Sequence, residues 1–166
     1  MTYYDEIARG YNELYGDEQL VKAREILTRI NPKSNELLLD VGCGSAPYAT
    51  LFPCTFIGID PSIQLIKKAN HGIYIQAEAG HLPFRDACFD YVISITALHH
   101  VKDAEKALAE ISRVANQTVV ISLLKQSKTF THLSSLLKKY FAVKSVIEQA
   151  KDTIFILEKH TKNSNI

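Results

Sequence analysis

An α/β fold, with a mostly parallel sheet and one antiparallel strand near the carboxyl terminus, is what this sequence predicts. Three observations carry that reading. First, β-rich runs at 36–41, 55–60, 72–79, 89–96 and 118–124 alternate with helical runs at 46–52, 62–70, 103–115 and 128–140. Such alternation means βαβ units joined by right-handed crossovers. Second, the runs 143–149 and 153–160 are separated only by Ala150, Lys151 and Asp152. No crossover helix fits in that gap, so the pair is a hairpin and one of its strands opposes the rest. Third, Leu37-Leu38-Leu39 and Ile154-Phe155-Ile156-Leu157 are continuously apolar, as expected of strands buried on both faces.

Each element has its own local signals. Ser62 and Asp103 stand where helix N-caps are needed, and Pro53 ends the run 46–52. Within the hairpin, Ile154 to Leu157 belongs inside the sheet, whereas Lys144, Val146 and Glu148 alternate with Val143, Ser145 and Ile147 as an edge strand does. The last strand therefore inserts inside the penultimate one. Ahead of the sheet, 3–15 and 19–30 read as two helices. In the second, Leu20, Ala23, Ile26 or Leu27, and Ile30 form an apolar face toward the sheet, and in the first Tyr3, Ile7, Tyr11 and Leu14 recur at similar spacing. Without a repeat, low-complexity tract or long linker, residues 1–166 read as one domain, helical over 1–30 with its sheet core over 36–160.

A chain of 166 residues can bury about two-thirds of its unfolded surface. Its 19 basic and 18 acidic residues nearly cancel, so total charge demands neither a nucleic acid nor a membrane. The distribution is uneven: 11 Lys/Arg against 15 Asp/Glu up to Leu124, then 8 against 3. The basic final portion is a solvated face or a surface for a phosphate-bearing partner. Cys43, Cys54 and Cys88 are odd in number and widely spaced, which fits neither a disulfide framework nor a zinc site. With no signal-like amino terminus and no apolar stretch approaching 18 residues, a soluble cytoplasmic protein is expected.

Residues 37–44 read Leu-Leu-Leu-Asp-Val-Gly-Cys-Gly. Glycines after a buried strand supply the tight turn and close backbone approach that a nucleotide-type ligand needs. Asp60 ends the next strand, close to the roughly 20-residue spacing at which a dinucleotide fold places its ribose-binding carboxylate. The alternative role for Asp60 is to cap the turn before Pro61-Ser62. A pyrophosphate would further need N–H groups at a helix N-terminus and a third glycine, but this chain has Ser45-Ala46-Pro47. Pro47 has no N–H. A phosphate-free ligand with adenosine at one end and an amino acid at the other loses little by that.

The ordered motifs Leu-Leu-Leu-Asp-Val-Gly-Cys-Gly, Ile-Gly-Ile-Asp-Pro-Ser, Ala-Glu-Ala-Gly-His-Leu-Pro-Phe and Phe-Asp-Tyr-Val-Ile-Ser-Ile-Thr-Ala-Leu-His-His-Val resemble the class I S-adenosylmethionine-dependent methyltransferases, in particular the ubiquinone/menaquinone-biosynthesis and tRNA-wobble branch. The resemblance covers nearly the whole chain. It implies a three-layer, Rossmann-like fold with seven strands in the order 3-2-1-4-5-7-6, and S-adenosyl-L-methionine as cofactor. It also implies roles. Asp40, Gly42 and Gly44 line the methionine part, and Asp60 holds the ribose hydroxyls. Ile63 packs on the adenine, Glu78 faces its amino group and Ala79 offers a backbone N–H. Ile95 and Thr96 end the fourth strand where a carbonyl receives the ammonium, and Tyr11 matches a lid tyrosine. Two departures stand out: Ala46 where the family commonly has a third glycine, and a helix cut short by Pro53.

Methyl transfer from a sulfonium is an in-line displacement, so the protein chiefly aligns the nucleophile and excludes water. A hydroxyl or carbon acid also needs a general base. His99 and His100 are the candidates for that place, and as adjacent residues they do not suit a metal, so none is expected. The short turn between the last two strands leaves the site's mouth open, which suits tRNA or protein as acceptor. An unpaired edge around Ile73-Tyr74-Ile75 would suit a small zinc-binding activator protein. Two other readings remain at this level: a non-catalytic methyltransferase-like subunit, and an NAD-linked oxidoreductase.

Overall fold

In the computed structural model, which describes residues 11–160 with side chains from residue 16 onward, the chain runs α1 (Tyr11–Ile30), β1 (Leu37–Val41), β2 (Thr55–Asp60), α2 (Ile63–Ile66), β3 (Ile73–Gln76), β4 (Phe89–Ile95), α3 (Ala104–Val114), β5 (Ala115–Leu124), α4 (Phe130–Tyr140), β6 (Phe141–Glu148) and β7 (Asp152–Lys159). Single 3-10 turns lie at Ala49–Leu51 and Leu98–His100. The seven strands form one sheet in the order β3-β2-β1-β4-β5-β7-β6. The pairings are parallel through β5, and β7 runs antiparallel to both β5 and β6. This is the expected architecture, with the last strand inside the penultimate one.

Alternate residues along the strands enter two separate cores, as the two-residue period of a strand requires. Leu39, Val92, Val119, Ile121, Phe155 and Leu157 pack with Leu108, Ile111 and Val114 of α3 and Leu133, Leu136 and Leu137 of α4. Their neighbours Leu38, Ile93, Val120 and Ile154 pack on the other face with Ala23, Ile26 and Ile30 of α1. A fully buried Leu, Ile or Val contributes about 1.5–3 kcal/mol, and both faces are filled with them. The sheet is thus the middle of three layers. Asp103 caps α3 by accepting the Lys106 N–H at 3.0 Å, and Ser62 caps α2 by accepting the Leu65 N–H at 3.3 Å, both as expected.

Several boundaries differ from the sequence expectation for local physical reasons. Helix α1 is continuous from Tyr11 to Ile30 where a break around Gly16 was expected. A glycine inside a helix costs only about 1 kcal/mol, and no proline interrupts this stretch. Residues 3–10, including Tyr3 and Ile7, lie outside the described residues. Strand β3 stops at Gln76, opposite Asp60, where the next donor that could extend the ladder, Ser62 N–H, is taken by the Asp60 carboxylate. Helix α2 is one turn long and tightens into i→i+3 bonds, Lys68 N–H to Leu65 O and Ala69 N–H to Ile66 O. Strand β6 is an edge strand that bulges between Val143 and Ser145.

The expected helix at 46–52 shrinks to one 3-10 turn at Ala49–Leu51. Pro47 disfavours the right-handed helical conformation for the residue before it, and Ala46 takes φ +42° instead. A left-handed alanine costs about 1–2 kcal/mol. Ala46 is also buried, and its methyl recovers about 0.8 kcal/mol. Ala46→Gly trades relief of strain against lost burial and a more flexible unfolded chain, so thermal denaturation should place it within about 1 kcal/mol of wild type. Ala46→Val, which adds a β-branch to the same backbone, should cost more than about 2 kcal/mol.

Candidate active site

The order of the sheet reverses direction between β1 and β4, and ligands of open α/β sheets bind at the carboxyl ends of the strands flanking such a point. Here the end of β2 shapes the turn that follows β1. Gly42 N–H and Cys43 N–H both donate to the Ile59 carbonyl, at 2.8 and 3.0 Å. Gly44 N–H donates to Asp60 Oδ2 at 2.9 Å, and Ser62 N–H donates to Asp60 Oδ1 at 2.8 Å. Gly42 and Gly44 hold φ +77° and +57°. A Cβ on Gly42 would lie 2.5 Å from the Ala97 Cβ, so glycine is required there by conformation and by space.

A cavity of about 940 Å³ opens over these strand ends. Of the residues singled out in the sequence, Gly42, Gly44, Asp60, Glu78, Ala79, Ile95, Thr96 and His100 lie on its wall. Three others do not. Asp40 is fully buried behind the wall. Ile63 is 37% exposed, and Pro61 and Leu65 occupy the wall in its place, because the one-turn α2 directs Leu65 inward. His99 lies behind His100, their rings 3.8 Å apart. The side chain of Tyr11 lies outside the described residues. His81, Lys102, Asp103, Glu105, Lys106 and His132 line the cavity on the side of α3 and α4, and His81 is hydrogen-bonded to Lys106.

Burial sets the protonation chemistry behind the wall. Asp40 Oδ2 accepts the Tyr48 hydroxyl at 2.7 Å, while Oδ1 is a buried acceptor without a partner among the described residues. Burial outweighs that hydrogen bond and, with Asp60 nearby, pushes the Asp40 carboxyl up to about 7. Burial likewise pushes the Cys43 thiol up, reinforced by Asp40 and Asp60. His99 is pulled down to about 4 by burial and by its neighbour His100, whose own imidazole is lowered by burial. Both imidazoles are neutral at pH 7 and can accept a proton, but only His100 reaches the cavity.

Sequence reasoning missed a buried polar cluster beside this wall. Lys22 Nζ lies 2.7 Å from Asp152 Oδ2 and donates to Thr96 Oγ1 at 2.8 Å. Thr96 also bonds Ser122 and Asp152. The available signal was the placement of Gln19 and Lys22 on the same helical stripe as Ala23, Ile26 and Ile30, where all five are buried. A second unforeseen device is Arg113, which donates to the carbonyls of Leu82 and Phe84 and pairs with Asp86 and Glu110. It fastens the loop after Ala79 to α3.

A family profile described as a methyltransferase domain matches residues 39–122, just over half of the chain. The chain belongs to this methyltransferase family. A protein of Methanocaldococcus jannaschii is 33% identical over 118 residues, covering 68% of this chain and 45% of its own length. The tRNA (carboxymethyluridine(34)-5-O)-methyltransferase of Arabidopsis thaliana is 40% identical over 87 residues, covering 49% of this chain and 22% of its own. The chain thus spans less than half the length of these curated relatives. In overall shape it matches the methyltransferase solved in complex with the Haloferax volcanii Trm112 methyltransferase activator, with TM-score 0.83, 14% identity, and coverage of 96% of this chain and 98% of that one.

S-adenosylmethionine is the cofactor of the methyltransferase domain, and the residues present fit it. The wall sets the carboxylates of Asp60 and Glu78 among apolar side chains such as Val41, Ile59 and Leu65, which suits a nucleoside with hydroxyl and amino donors. The backbone at Gly42 passes where a Cβ has no room. No helix begins at the glycine turn, so the N-terminal amides that hold a pyrophosphate are missing, while a phosphate-free ligand needs none. Among the described residues, no helix is long and apolar enough to cross a membrane.

The Asp40 carboxyl gives the fold a defined pH response. Below about pH 4 it is protonated in the folded and unfolded chain alike. Between about pH 4 and pH 7 only the unfolded chain releases the proton, so stability falls as pH rises through that window and levels off above it. The full loss is at most about 4 kcal/mol, at about 1.4 kcal/mol per unit. Asp40→Asn keeps an acceptor for Tyr48 and removes the titration. Denaturation from pH 4 to pH 8 should show wild type losing stability relative to Asp40→Asn, and the variant should be the more stable protein at pH 8.

Proposed function

We propose that the methyltransferase domain transfers the methyl group of S-adenosylmethionine to a nucleophile of a macromolecular acceptor, tRNA or protein. One observation carries the reading: Gly42, Gly44, Asp60, Glu78 and Ala79, from three separate loops, converge on the wall of a single cavity. Asp60 takes the ribose hydroxyls, and Glu78 and Ala79 take the adenine edge. Gly42 and Gly44 give the amino-acid end a close backbone surface, and Ile95 and Thr96 close it from β4. Asp40 supports this surface from behind. When bound, the cofactor supplies a methyl group on a positively charged sulfur. His100, neutral and on the wall, is placed to accept a proton from a hydroxyl acceptor, whereas a neutral amine needs no base.

The open mouth of the cavity supports a large acceptor. At about 940 Å³ it lies near the top of the roughly 300–1,000 Å³ range of small-molecule sites, and the hairpin turn between β6 and β7 places no lid over it. Lys102 and Lys106 share this side of the cavity with Asp103 and Glu105, so the lining charge does not select the acceptor; RNA is favoured by the similarity to a tRNA methyltransferase. Strand β3 ends the sheet with Ile73 56% exposed. An outer edge of this kind can accept a strand from a partner such as a small zinc-binding activator protein; that a structurally similar methyltransferase forms a complex with an activator supports a protein partner.

Calorimetry should give binding of S-adenosylmethionine and S-adenosylhomocysteine. Heat with NADH and none with either adenosyl ligand would overturn the proposal in favour of an oxidoreductase. Asp60→Ala should weaken S-adenosylhomocysteine about tenfold, or about 1.4 kcal/mol. It should also abolish the preference of wild type for that ligand over its 2′-deoxy analogue, which loosening of the glycine turn alone would leave intact. With a methyl-labelled cofactor and cell extract, label should enter RNA or protein; cofactor binding with no labelled product in any fraction would mark a non-catalytic subunit.

A further inference from the structure

We infer that Lys22 and Asp152 are positioning residues for the cofactor: their buried ion pair holds Thr96 in a left-handed conformation that sets the cavity wall between the ends of β1 and β4. The inference rests on the proposed reading of that cavity as the cofactor site. Thr96 has φ +54°. For a β-branched residue this is a true outlier, and such strain persists only where the surroundings over-determine it.

Three elements supply that determination. Thr96 N–H donates to Ser122 Oγ at 2.8 Å and to the Ser122 carbonyl at 3.2 Å. Its hydroxyl donates to Asp152 Oδ1 at 3.1 Å, accepts from Lys22 Nζ at 2.8 Å and lies 3.0 Å from Ser122 Oγ. A threonine hydroxyl has one proton and two lone pairs. With the Ser122 hydroxyl donating to it, every position is used. Strand β5, helix α1 and strand β7 thus meet on one side chain.

Stability does not account for the pair. Lys22 and Asp152 are 6% and 1% exposed. Two ions removed from water regain little net stability from each other, and apolar side chains of similar volume often serve as well or better. An apolar pair, however, offers nothing to the Thr96 hydroxyl. What the ions supply in addition is the direction of the chain after Thr96. The next residue, Ala97, lies against Gly42 so closely that a Cβ there would be 2.5 Å from its own. Gly42, Thr96 and Ala97 all lie on the cavity wall, so the backbone angle at Thr96 sets how closely the two strand ends approach.

The test separates position from stability. The double variant K22M/D152L should fold with Tm within about 4 °C of wild type. It should bind S-adenosylhomocysteine about tenfold or more weakly in calorimetry, and the Gly42 and Ala97 amide resonances of its ligand-free form should shift. Ser122→Ala, a smaller change that keeps the fold, should weaken binding about threefold and move the same resonances. In a Thr96→Gly background, where glycine accepts the left-handed angle unaided, K22M/D152L should cost less than about twofold. A folded K22M/D152L with wild-type affinity and unmoved Gly42 and Ala97 resonances overturns the inference. If the double variant does not fold, unmoved resonances and unchanged affinity in Ser122→Ala overturn it. Failure of wild type to bind S-adenosylhomocysteine would instead remove the cofactor reading, and the ligand-free resonances alone would then decide whether the pair positions Thr96.

Discussion

The carboxyl end of β2 is the mould on which the rest of the site is cast. Ile59 and Asp60 together accept four backbone N–H groups, three from the glycine turn after β1 and one from Ser62. Without them the turn would carry buried, unsatisfied donors, each costing about 1–3 kcal/mol. The parallel pairing of β1 with β2, in register from Leu37 opposite Thr55 to Val41 opposite Ile59, brings these groups together. Asp60 therefore does the turn-capping work that the sequence left as its alternative role. That does not compete with a ligand role, because a carboxylate oxygen has more than one lone pair. Both residues that shape the turn also line the cavity.

Polar side chains in otherwise apolar strands share one address. Asp40, Asp60, Ser94 and Ser122 are all buried, and all lie toward the carboxyl ends of β1, β2, β4 and β5. Each is tied to backbone or to another side chain across the sheet: Ser94 to the Val41 carbonyl at 2.8 Å, Asp40 to Tyr48, and Ser122 to Thr96. Apolar core residues run the whole length of these strands, as Val41, Ile59, Ile95 and Leu123 show. Buried hydrogen bonds are directional and costly to break, so the polar groups add rigidity at the strand ends that border the cavity.

Most of the fold was legible in the sequence because it rests on periodicity. Alternating runs announced the sheet, and the gap at Ala150 to Asp152 announced the reversed strand. Legibility failed where one residue overrides a pattern. Ala46 and Pro47 convert a run with helical spacing into a 3-10 turn, and Asp60, by taking the Ser62 N–H, ends the pairing of β3 at Gln76. The site followed the same rule. Gly42, Gly44 and Asp60 were legible because a glycine turn and an acidic residue end two successive β-rich runs, and Glu78 through the family resemblance; all four line the cavity. Lys22 was not legible, since its function depends on Asp152 and Thr96, which are distant in sequence. Only the meeting of α1, β4 and β7 makes a lysine on a helical stripe meaningful.

Ala46 also resolves what the missing third glycine means. At this position the backbone is left-handed, the conformation glycine adopts most cheaply, and the methyl is buried against the α1 side of the sheet, away from the cavity. The geometry a third glycine would supply is therefore present, held at the expense of local strain. What this chain has truly lost after the turn is a helix, since Pro47 leaves only Ala49–Leu51 in helical form. A helix N-terminus serves phosphate groups, whereas carboxylates and close backbone serve a nucleoside and an amino acid. The departure from a dinucleotide site thus originates in the proline that follows Ala46, while the fit to an adenosyl amino acid rests on Asp60, Glu78 and the glycine turn.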